Sequence, residues 1–102
     1  MKLLIITSIK EYQSKVAEIF KEAGIQVFSV SEIVGFKENP ASSLVDSWFA
    51  GSGDSYDSMM LFSFTDNEKA QAALSLITTY NKNTEALFPI RGFILPVEQS
   101  GY

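Results

Sequence analysis

The sequence contains no cysteine and no histidine. Without cysteine there is no disulfide, no thiolate metal site and no thiol nucleophile. Without histidine there is no Ser-His-Asp triad, no imidazole base and no ordinary zinc or copper site. Carboxylate chemistry and oxygen-ligated metals remain. Cations are scarce as well: 8 Lys and Arg stand against 12 Asp and Glu, a formal charge of −4. Such a chain lacks the positive surface that phosphate backbones require, so nucleic acid is not an expected partner. Long apolar runs are also missing, and no segment reaches the roughly 18 residues of a membrane-spanning helix. The first apolar run, Leu3-Leu4-Ile5-Ile6, is shorter than the roughly seven residues of a signal-peptide core, and no small-residue cleavage site follows it. It reads as a buried strand. A cytoplasmic protein without direct membrane insertion is expected.

What is present suits one compact unit. A chain of 102 residues with 46% apolar and 20% charged residues has length for a single core, so one domain over 1–102 is expected. After the first strand, Ser8 and Glu11 have the spacing of a capping box. Tyr12, Val16, Ile19, Phe20 and Ala23 then fall on one face at helical period, which predicts a helix over 11–23 ended by Gly24. Residues 26–36 alternate Phe28 and Val30 with Ser29 and Ser31, a strand pattern. Residues 59–64 form another strand, with Met60, Phe62 and Phe64 on one face and Met59, Leu61 and Ser63 on the other. Phe62 and Phe64 read as core. Thr65 and Glu68 repeat the capping-box spacing ahead of a helix to about Tyr80, whose stripe is Ala70, Ala73, Leu74 and Ile77. Residues 86–97 read as extended, with Arg91-Gly92 bending the chain between two short strands and Pro89 and Pro96 at strand ends.

The order is β-α-β-β-α-β plus a short extra C-terminal strand. It predicts an α+β, ferredoxin-like fold with both helices on one face of an antiparallel sheet. The other face, with Met59, Leu61 and Val27 as its apolar candidates, then needs cover. Self-association supplies it economically.

Residues 37–58 do not fit a bare scaffold. They number 22, hold six serines, and carry Glu38, Asp46, Asp54 and Asp57 against Lys37. Most of the net charge therefore sits in one long insertion between strands 2 and 3. Connections of this length are uncommon in compact domains. Leu44, Val45, the lone Trp48 and Phe49 lie in the same stretch, and aromatic anchors dominate the energetics of protein interfaces. These four and Tyr56 are candidate partner-binding residues. Packing of the same side chains onto the domain or a neighbouring copy is the other reading. Gly51-Ser52-Gly53-Asp54 lacks the Walker spacing and its lysine. Asp54-Ser55-Tyr56-Asp57 misses the EF-hand pattern and reads as a solvated turn. No nucleophile sits beside a base, so no enzyme is expected.

From Gly24 to Phe36 the sequence runs GIQVFSVSEIVGF. This resembles the PII signalling family: a Gly-Ile helix end, an alternating Ser-Val strand, a Glu, and a terminal Gly-Phe. The element order and the place of the long insertion are similar over nearly the whole chain. The resemblance implies a homotrimer with sheets facing inward. It implies that 37–58 corresponds to the T-loop, through which such proteins regulate transporters, channels and enzymes. It also implies adenine nucleotide binding between subunits, with Gly35, Phe36, Lys37 and Arg91 as the ligand neighbourhood. No metal ligand and no catalytic residue is implied.

The chain departs from the family at the phosphate-binding parts. Where typical PII proteins carry a Gly-Asp-Gly-Lys loop, this chain reads Tyr80-Asn81-Lys82-Asn83-Thr84-Glu85. The expected arginine pair is reduced to Arg91. A triphosphate needs several cations and convergent amides, and Glu38 and Glu85 stand beside Lys37 and the Lys82 segment. Two functions from different classes follow: a PII-like regulator docking through 37–58, and a ferredoxin-like trimeric module related to CutA without small-molecule sensing. No cofactor is identified by the residues alone.

Overall fold

The computed structural model describes residues 1–36, 55–84 and 88–101. Strand β1 is Lys2–Ile9, followed by a 3-10 turn Lys10–Tyr12 and helix α1, Gln13–Glu22. Strands β2 (Ser29–Phe36) and β3 (Ser55–Thr65) come next, then helix α2 (Asn67–Thr84) and strand β4 (Arg91–Pro96). The sheet order is β2-β3-β1-β4, and every neighbouring pair is antiparallel. This α+β arrangement of one four-stranded sheet and two helices is compatible with a ferredoxin-like fold.

The helix ends differ from the capping-box reading. Ser8 does not cap α1. It is buried in β1, and its hydroxyl donates to the Ile9 carbonyl at 3.0 Å. The chain turns first through the 3-10 segment, whose N-cap Ile9 makes no side-chain cap bond. At α2 the cap is Asp66, one residue beyond Thr65: its Oδ1 accepts from the Lys69 amide at 2.9 Å. Helix α2 also runs past Tyr80 to Thr84. Thr84 Oγ1 donates to the Tyr80 carbonyl at 2.8 Å, so a residue that reads as a stop continues the helix by bonding back along it. Gly24 ends α1 at φ +83°, where a side chain would be strained.

The two faces of the sheet are the reverse of the sequence expectation. Leu4, Ile6, Met59 and Leu61 are buried with Val16, Ile19 and Phe20 of α1 and Ala73 and Ile77 of α2. The helices therefore cover the Met59-Leu61 face. Phe62 and Phe64 are not core: Phe62 is half-buried and Phe64 is 58% exposed. Alternation alone separates the two faces of a strand without saying which one a helix covers.

Residues 97–101 form no strand, so the described residues contain no extra C-terminal strand. Gly92 lies inside β4 instead of bending the chain between two strands. A Cβ there would lie 2.6 Å from Leu74 Cδ2 and 3.0 Å from Ile77 Cδ1. Glycine at this point serves the approach of α2 to the sheet.

Candidate functional site

The register assembles an apolar surface on the sheet face away from the helices. Leu3 of β1 sits between Phe64 and Leu95, and Ile5 sits between Phe62 and Phe93. The next level places Thr7 between Met60 and Arg91, with Ser31 beyond Met60. Val27, just before β2, is also an exposed apolar side chain, at 81% exposure. Its backbone is fixed, because Ser63 Oγ donates to the Val27 carbonyl at 2.6 Å. The face thus grades from apolar at the Leu3-Phe64 end to more polar at the Thr7-Arg91 level.

The 37–54 connection joins the polar end. In the β2–β3 ladder Phe36 is paired with Ser55, Gly35 with Tyr56, and Val34 with Asp57. The insertion is therefore 37–54. Ser55, Tyr56, Asp57 and Ser58 belong to β3, not to a solvated turn. Their β-ladder continues the strand beyond the apolar run from Met59, which is why hydropathy places the boundary late. Both ends of the connection leave from one point of the sheet. Lys37, Leu44, Val45, Trp48 and Phe49 lie outside the described residues.

Arg91 opens β4, whereas Gly35 and Phe36 close β2. These are the two outer strands of the sheet. One protomer therefore does not bring Arg91 to the Gly35-Phe36 end of β2. Arg91 has no ion pair among the described residues, and its Nε is buried without a hydrogen-bond partner. The Ser58 hydroxyl is likewise buried without one.

Near the root of the insertion, Lys10 Nζ meets Glu32 Oε1 at 2.8 Å. The hydrogen bond to Glu32 and then its charge raise the Lys10 pKa, with Asp57 and Glu11 adding to it. This contact ties the 3-10 turn to the outer strand β2. Glu32 is accounted for as a structural partner of Lys10.

Sequence reading did not single out Asn81. Its Nδ2 donates to the Ile90 carbonyl at 2.7 Å, and its Oδ1 accepts from the Ile90 amide at 2.9 Å. The side chain thus mimics a strand partner and fixes the start of β4, hence the position of Arg91. The only sequence signal was an Asn in the helix-stop segment. Asn81→Ala leaves both Ile90 groups without that partner and is expected to cost about 1–3 kcal/mol. A lower urea midpoint at unchanged slope is the expected readout.

Among the described residues, no group of three or more acidic, His or Cys side chains could hold a metal ion. No described helix is long and apolar enough to cross a membrane. No family model matches the chain, and no curated protein matches it.

Proposed function

We propose that this is a PII-like regulatory protein with a ferredoxin-like fold. It assembles as a homotrimer through the open sheet face and uses 37–54 to dock on and regulate a protein partner. The resemblance makes a membrane transporter or channel the leading partner class, and the short first apolar run supports a cytoplasmic location. The reading assigns no catalysis and no nucleic acid.

One observation carries most weight: Leu3, Ile5, Phe62, Phe64, Phe93 and Leu95 share a face opposite the helical layer. A patch of this kind marks an interaction surface. Three copies with these faces inward would bury it and leave the insertion, which leaves from the sheet's polar end, available to a partner. Neighbouring copies also provide the means of bringing Arg91 of one chain against Gly35, Phe36 and Lys37 of the next. A small ligand at that boundary would shift the insertion between docked and free states. Adenine nucleotide is the candidate the resemblance supplies, without the typical phosphate loop.

The first test is mass by light scattering. Three times the protomer's 11.3 kDa supports the reading, and a folded single chain sinks it. The second is Trp48→Ala with Phe49→Ala, which is expected to abolish capture of a candidate transporter while leaving the trimer intact. Loss of the trimer in that double variant, with blue-shifted, quencher-protected Trp48 emission in the parent, favours the CutA-like packing module instead. Isothermal titration with ATP, ADP and AMP, with and without magnesium, tests the nucleotide directly.

A further inference from the structure

The two outer strands of the sheet, β2 and β4, are protected differently. An outer strand presents unpaired amides and carbonyls, and proteins blunt it with short length, proline, lysine or a bulge. β4 is six residues long and carries Pro96. β2 is eight residues long, SVSEIVGF, with neither proline nor lysine. Its register with β3 runs unbroken from Ser29 to Phe36, so no bulge turns the edge away. Among the described residues, no backbone bond from another element reaches its outer side. Val30 and Val34 stand 42% and 52% exposed along it, two residues on either side of Glu32.

Val30, Glu32 and Val34 share one side of the strand. It is the helix side of the sheet, because Val30 pairs with Leu61 and Glu32 with Met59, both buried in the core. Asp57 pairs with Val34 and lies on the same side. A cavity of about 320 Å³ borders these residues, with Lys10, Glu32, Val34 and Asp57 in its lining. Lys10 is held by Glu32 at 2.8 Å. One ammonium therefore meets two carboxylates there, which leaves an excess of one negative charge. Pattern and charge together set the occupant. A strand laid along β2 would place an apolar residue opposite each valine and a basic residue between them, opposite Glu32. Cross-strand pairs of both kinds are favourable.

We propose that the outer edge of β2 takes up an extended segment of a partner protein as a fifth strand, with the pattern apolar-x-basic-x-apolar. Its apolar residues lie against Val30 and Val34, and its basic residue enters the cavity beside Glu32 and Asp57. Backbone bonds supply the affinity of such an added strand, and alternate side chains supply its selectivity. β2 ends at Phe36, so the added strand lies at the root of the 37–54 connection. The proposal rests on the regulatory reading only in making this segment part of the regulated partner.

The probe is the capped peptide Thr-Val-Thr-Lys-Thr-Val-Thr, whose pattern is the same in both strand directions. It is titrated into the full chain and followed by amide NMR shifts and hydrogen exchange. Saturable shifts are expected at Val30, Glu32 and Val34, with slower exchange of the outward-facing β2 amides and affinity in the millimolar range for so short a ligand. The peptide with glutamate in place of lysine is expected to bind about fivefold more weakly, because an opposite-charge pair becomes a like-charge one. Glu32→Gln should narrow that gap. The peptide with proline at both threonines beside the lysine should not bind, since it lacks the amides a ladder needs. Four results would each overturn the proposal: no saturable shifts, equal binding of the lysine and glutamate peptides, binding of the proline peptide, or shifts confined to Leu3, Phe62 and Phe64. Exchange of the β2 amides that slows with protein concentration in the free chain would give the edge to a second copy, and would also overturn it. The peptide comparisons need no variant, so a folding defect in Glu32→Gln does not blunt them. Lysine-peptide binding by a chain whose scattering mass is that of one protomer would uphold this edge while removing the trimer. A trimer indifferent to the peptide would do the reverse.

Discussion

Phe62→Lys is expected to break the assembly into single chains. Phe62 lies on the central level of the open face, between Ile5 and Ser29 in the register. It is outside the cluster that joins the sheet to the helices, so the protomer's own packing is not the target. In the proposed trimer each copy would bury an ammonium among Ile5, Phe93 and their counterparts. An unpaired buried charge costs several kcal/mol, and the trimer would meet that cost three times. The scattering mass should fall from threefold to onefold. The parent's melting temperature should rise with protein concentration, as for any chain stabilised by its own association, and the variant's should not. Phe64→Lys, at the more exposed end of the face, should do less. A Phe62→Lys protein that keeps the threefold mass would show that this face is not the interface.

The fold was legible where two signals agreed. β1 showed as a short apolar run and α2 by its helical stripe, and β1, α1, β2, β3, α2 and β4 follow in the expected order. The failures have a common cause. A period gives the faces of an element but not which neighbour covers which face, so Phe62 and Phe64 were placed in the core by hydrophobicity although Met59 and Leu61 hold it. Ser8 carried the spacing of a cap, but its hydroxyl is used within β1. The start of β3 was invisible in hydropathy because Ser55, Tyr56, Asp57 and Ser58 are held by their ladder with β2, a long-range pairing that no local window contains.

The candidate site was legible only in part. A lone cation near a strand could be picked out as Arg91. What makes it notable is a buried Nε without an acceptor, and that depends on tertiary placement. Asn81 was less visible still. Its two bonds to Ile90 span nine positions of the chain, and a helix-stop asparagine gives no hint of such a clamp. The insertion was recognised from composition because it breaks every periodicity, but its anchoring at Phe36 and Ser55 comes from the register.

The protomer itself should be sensitive to Phe20→Ala. Phe20 is fully buried in α1 and stacks on Phe28 with centroids 4.5 Å apart and planes 5° apart. Phe28 immediately precedes β2, so the stack joins the first helix to the chain entering an outer strand. Removing the ring creates a cavity between helix and sheet, at about 3–5 kcal/mol. That is comparable only with the lower end of a typical stability of about 5–15 kcal/mol. Urea unfolding should show either a large drop in midpoint or a chain already unfolded in buffer. Phe28→Leu is the informative companion, since Phe28 is only half-buried and the variant should fold. Combined with Phe20→Leu, it closes a double-mutant cycle whose coupling should be about 0.5–1.5 kcal/mol if the ring pair acts beyond its buried area. A coupling near zero would assign the loss to volume alone, and the entry to β2 would then be held by Ile25 and the Ser63–Val27 bond without help from the stack.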